Sequence, residues 1–384
     1  MKNHNIPKLR YPEFTDAWEK WELNKIAIKV TEKNKDGIFQ ETLTNSAEFG
    51  VISQRDFFDK DISNPENLNG YYIVKPNDFV YNPRISNLAP VGPIKRNQLN
   101  RIGVMSPLYF IFRVSSNIDL DFLDAFFSTN LWHLFMKLNG DSGARADRIA
   151  IKDKIFMEMP ISLPTLPEQQ KIGNLFKQLD RLITLHKRKW DDVILLKKAL
   201  LQKMFPKNGA DFPEIRFPEF TDAWEKCKLG EVIINHSSSN YIQEAKAFGE
   251  FEVIQQGNTP IVGYSNEMPF ENFENVLCFG DHTTSLYKPL TPFLLATDGV
   301  KILSIKGVQG YFILSFFERY KPNAEGYKRH FSILKKQQGY IPPLPEQQKI
   351  GNLFKQLDHL ITLHKRQHEH YQLLKKALLQ QMFV

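Results

Sequence analysis

The strongest constraint on how this chain can fold is that much of it occurs twice. Pro12 to Lys20 reads PEFTDAWEK, and Pro218 to Lys226 repeats those nine residues 206 positions later. Leu166 to Asp180 reads LPEQQKIGNLFKQLD and returns at Leu344 to Asp358, 178 positions later. Carried on to Phe205 and Phe383, the second match has eight differences in forty positions, which chance does not produce. The order is a short repeated segment, a variable stretch and a long repeated segment, and then all three again. The variable stretches, 27–165 and 233–340, share little sequence. A frame has been duplicated and kept while its insertions diverged.

The long segments read as helices. Pro167 and Pro345 suit a first helical turn, and Glu168 and Glu346 place negative charge where the helix dipole favours it. Apolar residues follow in steps of three and four at Ile172, Leu175, Leu179, Leu182, Val193, Leu196 and Leu200. The second copy supplies Ile350, Leu353, Leu357, Leu360, Tyr371, Leu374 and Leu378. This is a heptad seam, interrupted once in each copy at His186 and His364, where a polar register pin or a solvated point midway along the rod is expected. Forty helical residues make a rod of roughly 60 Å, too long for one small core to cover. The two stripes are therefore expected to pack on each other, antiparallel. The short segments, with Trp18 and Trp224, open each half, and Asp16 and Asp222 are candidate caps of a short helix.

Inside the insertions the patterns are those of short strands and turns. Tyr71–Val74, Phe79–Tyr81 and the apolar run Leu108–Val114 read as strands, and 119–138 has helical spacing. In the second insertion Phe251–Ile254, Val276–Phe279 and Val300–Ile305 read as strands, followed by an aromatic run from Tyr311 to Tyr320. Each insertion is expected to be mixed α and β. With 42% hydrophobic residues, 30 Phe and 13 Tyr, the chain has core material for the two or three globular units its length suggests.

Two places in the insertions echo each other. A strand at 79–81 runs into Asn82-Pro83-Arg84-Ile85-Ser86-Asn87, and one at 276–279 into Gly280-Asp281-His282-Thr283-Thr284-Ser285. Further on, 143–149 matches 326–331, each beginning nine residues before a lysine, Lys152 or Lys335. Loop Arg, Asn, Ser, Thr and His are what base-edge and phosphate contacts need. The candidate DNA-binding residues are Arg84, Ser86, Asn87, Lys95, Arg96, Arg145 and Arg148 in the first insertion. In the second they are His282, Thr283, Thr284, Ser285, Lys288, Lys328, Arg329 and His330. The net charge of +7 lies outside the insertions, which hold 16 basic and 16 acidic residues in the first and 10 and 10 in the second. Binding through local clusters, and weak binding by the isolated chain, are the expectation.

Catalysis finds no foothold. No Gly-x-Gly pair or Gly-Lys is present to cradle a dinucleotide or phosphate, and Pro342-Pro343 runs into Leu344, not the aromatic of an amino-methyltransferase motif. Cys227 and Cys278 fit no metal spacing and suggest no disulfide framework. No apolar stretch approaches the roughly 18 residues of a membrane span, so a cytoplasmic protein is expected.

Taken together, Leu-Pro-Glu-Gln-Gln-Lys-Ile opening each long helix, Leu-Leu-Gln-x-Met-Phe closing it, and the duplicated order resemble the specificity subunit of type I restriction-modification enzymes. The resemblance runs from Ile6 to Val384. It implies an α+β fold: two pseudo-repeated mixed α/β target recognition domains joined by two long antiparallel coiled-coil helices. On that plan 1–165 holds the first repeated segment and recognition domain, 166–206 the first helix, 207–340 the second segment and domain, and 341–384 the second helix. It also implies a non-catalytic subunit that reads a split, asymmetric site on double-stranded DNA, one half-site per domain. Two methyltransferase subunits and restriction/motor subunits would dock on it. S-adenosylmethionine, ATP and Mg2+ would belong to those partners, with no cofactor or metal on this chain. An alternative from the residues alone is a coiled-coil adaptor whose variable domains bind proteins.

Overall fold

The computed structural model describes residues 5–58, 65–143, 147–207, 210–326 and 328–384. The chain forms two compact units, Met1–Leu185 with His368–Val384, and His186–Gln367. These do not follow the expected boundaries at 165, 206 and 340. The long helices, Leu166–Lys203 and Leu344–Met382, are each divided between the units, because each has its two ends packed in different cores.

In the first unit, Glu19–Glu22 pairs antiparallel with Pro160–Leu163, so the chain enters and leaves the insertion side by side. Within it a four-stranded sheet has the order Ala27–Lys29, Phe110–Val114, Phe79–Tyr81, Ile94–Arg96. Phe79, Val80 and Tyr81 are all buried, which an inner strand covered on both faces requires. A hairpin, Leu43–Ser46 with Gly50–Ser53, lies beside it in sequence. The helical stretch at 119–138 is two helices, Leu120–Phe127 and His133–Asn139. The break falls where the Thr129 hydroxyl bonds back to the Phe126 carbonyl (2.7 Å) and the Trp132 indole N–H reaches the Phe127 carbonyl (3.3 Å).

The second unit repeats the plan. Glu225–Lys228 pairs with Gln338–Ile341, and the sheet order is Ile233–His236, Val300–Ile305, Leu277–Gly280, Leu286–Tyr287. A three-stranded sheet, Ile261–Ser265, Phe251–Ile254, Phe293–Leu295, is added. The aromatic run is a helix, Phe312–Tyr320, whose Phe312, Phe316 and Phe317 are fully buried. No helix forms at Asp16 or Asp222, and the chain runs instead into the strands at Glu19 and Glu225.

The repeated motif bolts each unit together. Glu168, fully buried, accepts two bonds from Arg10 (2.7 and 2.8 Å), and Glu346 accepts two from Arg216 (2.8 and 2.7 Å). These carboxylates thus hold the repeated N-terminal segment, beyond any interaction with the helix dipole. Gln169 donates to the Pro164 carbonyl and accepts from the Asp119 N–H; Gln347 donates to Gly307 and Pro342 and accepts from Gln309. Gly173 and Gly351 let a second helix end press close: an added Cβ would lie 2.6 Å from the Phe122 nitrogen and 2.7 Å from that of Phe312. Trp18 packs edge-on to Phe383, and Trp224 edge-on to Phe205.

Within each unit the long helices pair antiparallel. In the first, Lys375 Nζ donates to Asp180 (2.6 Å) and His368 Nδ1 to the Ile183 carbonyl (3.0 Å). In the second, Lys197 donates to Asp358 (2.6 Å), and the Nδ1 atoms of His186 and His364 lie 3.1 Å apart. Ile172, Leu179, Ile350 and Leu357 are buried as expected, and Leu175, Leu200, Leu353 and Leu378 pack against the same cores. Leu196, Leu360 and Leu374 are corrections: all three are exposed, Leu196 at 49%, and Leu182 is half-buried. The seam steps by four from Val193 to Lys197 and from Tyr371 to Lys375, so a leucine one position earlier turns outward. Lys197 can occupy an inner position because Asp358 and Glu318 both accept from its ammonium. Phe176 and Phe354, which the expected seam did not include, are buried in the same cores.

Candidate nucleic-acid interface

The two echoing loop pairs meet in space. In the first unit the loop after Phe79–Tyr81 is zipped to the later basic loop by two backbone bonds, Ile85 N–H to Asp147 (2.9 Å) and Ile149 N–H to Pro83 (2.9 Å). Arg84 and Arg148 are thereby made cross-strand neighbours. In the second unit the loop after Leu277–Gly280 is joined to its counterpart by His330 N–H to the Asp281 carbonyl (2.7 Å) and Phe331 N–H to the Asp281 carboxylate (2.8 Å). The strands that deliver these loops hold equivalent places in the two sheets, third in each order. One frame therefore presents two different sets of side chains in the same way.

In the first unit Arg84, Ser86 and Arg148 line a groove of about 420 Å3 whose walls include Ser46, Phe57, Phe58, Leu88 and Tyr109. Asn87 is exposed on the same loop. Among the described residues Arg84 makes no side-chain hydrogen bond, and Arg148 has Asp147 at 4.0 Å. Lys95 and Arg96 go elsewhere. Arg96 bonds Asp121 and lies 3.6 Å from Asp124, on the helix Leu120–Phe127. Lys95 is largely buried, which pushes its ammonium pKa down. Arg145 lies outside the described residues.

In the second unit the predicted residues divide in the same manner. Thr283, Lys328 and Arg329 are exposed, and His282 and Ser285 are half-buried. The Thr283 and Ser285 hydroxyls lie 2.8 Å apart, and Ser285 Oγ also accepts from the Gly257 N–H (2.8 Å). Thr284 is buried and left-handed (φ 54°), held by its N–H on the Gly280 carbonyl. His330 is fully buried, its Nδ1 donating to the Asp281 carbonyl and its Nε2 accepting from the Glu325 N–H. Lys288 donates to the Phe273 and Pro289 carbonyls, and burial lowers its pKa to about 8. Thr284, Lys288 and His330 thus shape the loop, and Arg96 braces the sheet.

Sequence reasoning missed residues that build the sites from behind. Asn45, fully buried, donates to the Val80 and Pro93 carbonyls and fixes the first loop's base; Asn82 donates to Asn45 and accepts from the Arg84 N–H. Gln256 accepts from the His282 N–H (3.1 Å). Gly280 permits the hydroxyl loop to fold back, since a Cβ there would lie 2.4 Å from Ser285 Oγ. Only their positions next to the loops in three dimensions identify them. Among the described residues, no three His, Cys, Asp or Glu side chains are placed to hold a metal ion, and no helix is long and apolar enough to cross a membrane.

The duplicated frame has known counterparts. The family model of the type I restriction modification DNA specificity domain matches residues 16–196 and again 221–370. The chain belongs to that family and carries its domain twice. It is 25% identical over 325 residues to the type I restriction enzyme MjaVIII specificity subunit of Methanocaldococcus jannaschii, covering 73% of each. It is 27% identical over 249 residues to a putative MjaX specificity subunit of the same organism, covering 58% of this chain and a little over half, 57%, of that relative. The S subunit of a type I restriction-modification system from M. genitalium shares its fold, with a TM-score of 0.65 at 13% identity over 99% of each chain.

Proposed function

We propose that this chain is the sequence-reading subunit of a cytoplasmic type I restriction-modification complex. Each unit reads one half of a split, asymmetric site on double-stranded DNA through its zipped loop pair. Arg84, Ser86, Asn87 and Arg148 contact the first half-site, and His282, Thr283, Ser285, Lys328 and Arg329 the second. The observation that carries this is the delivery of two unlike polar loop pairs from equivalent strands of a duplicated frame. An adaptor for proteins has no need of matched loops so rich in guanidinium, hydroxyl and amide groups.

Chemistry belongs to partners: two adenine methyltransferase subunits carrying S-adenosylmethionine, and motor subunits using ATP and Mg2+. Two outward leucine patches support docking of two like subunits. Leu185, Leu373 and Leu374 are exposed in the first unit, and Leu363, Leu195 and Leu196 in the second, each 178 positions from its counterpart. Selection from a random duplex pool by the chain with its methyltransferase tests the reading. A bipartite motif is expected; no enrichment at any salt would sink it.

A further inference from the structure

We infer that the groove of the first unit holds a base unstacked from the duplex, its face against Phe57 and Phe58 and its flanking phosphates on Arg84 and Arg148. This rests on the DNA-reading assignment above and adds what that reading does not contain, a change in the DNA itself.

The groove's composition argues for it. Phe57 and Phe58 stand perpendicular with centroids 4.6 Å apart, and Phe49 lies 6.4 Å beyond. All three are exposed, as are Leu88 and Leu108 on the groove's rim. To a paired base a phenyl ring offers only contact with a thymine methyl; its larger affinity is for the base's face, which a stacked duplex covers. The space, about 420 Å3, falls in the range of roughly 300–1,000 Å3 that pockets for small ligands occupy. Polar groups stand at its walls, the Tyr109 hydroxyl bonded to Thr44 (2.9 Å) and the Ser86 hydroxyl on the loop.

Charge favours a nucleotide over a protein side chain, since two guanidiniums outnumber the Glu48 carboxylate among the charged groups that line the groove. Arg10, Arg101, Arg113 and Arg216 each hold a carboxylate by two bonds, whereas Arg84 holds none and faces the groove beside Arg148. Two guanidiniums beside exposed aromatic rings match a base between its phosphates. The second unit places hydroxyls and an amide at the corresponding loop, so the unstacking belongs to one half-site alone.

Extruding a base costs less where it is mispaired, so a mismatch at the extruded position tightens binding while a mismatch read in the groove weakens it. The test places a mismatch at each pair of the selected site in turn and measures affinity of the full chain with its methyltransferase. Expected is about tenfold tighter binding at one pair of the first half-site, distinct from the methylated adenine, and its loss in Phe57→Ala/Phe58→Ala. The methylated adenine, extruded by the partner, serves as reference and keeps its response in that variant. Weaker or unchanged binding at every pair of the first half-site apart from the methylated adenine, or tightening that survives the double substitution, overturns the inference. Failure to select any site at all overturns the DNA reading instead.

Discussion

Lys197 and Asp358 meet at 2.6 Å between the long helices, and Lys375 and Asp180, 178 positions away in each case, meet at the same distance. The two pairs are one interaction in two surroundings. Lys197 is buried and also held by Glu318, whereas the Asp180 side chain is more than half exposed. Lys197→Met should therefore destabilise the second unit by roughly 3 kcal/mol, since two carboxylates lose their cation. Lys375→Met should cost less than about 1 kcal/mol. Urea unfolding of both variants checks the difference.

Readout should separate by unit. Arg84→Ala or Arg148→Ala should weaken binding by about 1–3 kcal/mol and blunt selection in the first half-site only, because the phosphate contacts that hold the extruded base in its groove are lost. Lys328→Ala with Arg329→Ala should act on the second alone. Equal losses at both halves would contradict the assignment, and selection from randomised half-sites measures it.

The leucine patches predict stoichiometry. Leu373→Glu with Leu374→Glu, or Leu195→Glu with Leu196→Glu, should leave stability within about 0.5 kcal/mol because the positions are exposed. Each pair should remove one methyltransferase copy from the complex, read as a mass change by light scattering.

Lys288 predicts a pH dependence. Its pKa is lowered by burial from 10.5 to about 8, so between those values the unfolded chain binds more protons and stability gains from this group as pH rises. The gain is on the order of 2 kcal/mol across that window. Buried phenols such as Tyr287 and Tyr320, whose pKa values are raised, oppose it above pH 10. Comparing wild type with Lys288→Met at pH 7.5 and 9.5 isolates the lysine: the wild type should gain relative to the variant.

Much of this architecture is legible in the residues themselves. The duplication, the long helices and the strands at 79–81, 251–254 and 300–305 follow from repetition and local pattern. The echo between 82–87 and 280–285 correctly paired two loops that leave equivalent strands. What local pattern lacks is which way a polar side chain turns. Arg84 and Arg96 read alike in sequence, yet Arg96 meets Asp121 from a helix some 25 positions on, and Arg84 meets no acid among the described residues. His330 looks like a surface histidine until the Asp281 carbonyl and the Glu325 N–H enclose it. Leu196 was misplaced because a lysine stands in the seam, and only the facing Asp358 and Glu318 make that arrangement possible.

One small hydrogen bond, made once in each unit, closes very different lengths of chain. The Ile215 N–H donates to the Lys203 carbonyl at 2.9 Å in the second unit, and the Leu9 N–H donates to Gln381 at 2.9 Å in the first. The former closes a loop of 12 residues and the latter one of 372. By polymer statistics that difference amounts to about 3 kcal/mol of chain entropy. The tie in the later-encoded half therefore asks far less of the chain's freedom than its twin, which has to bring together residues separated by nearly the whole polypeptide.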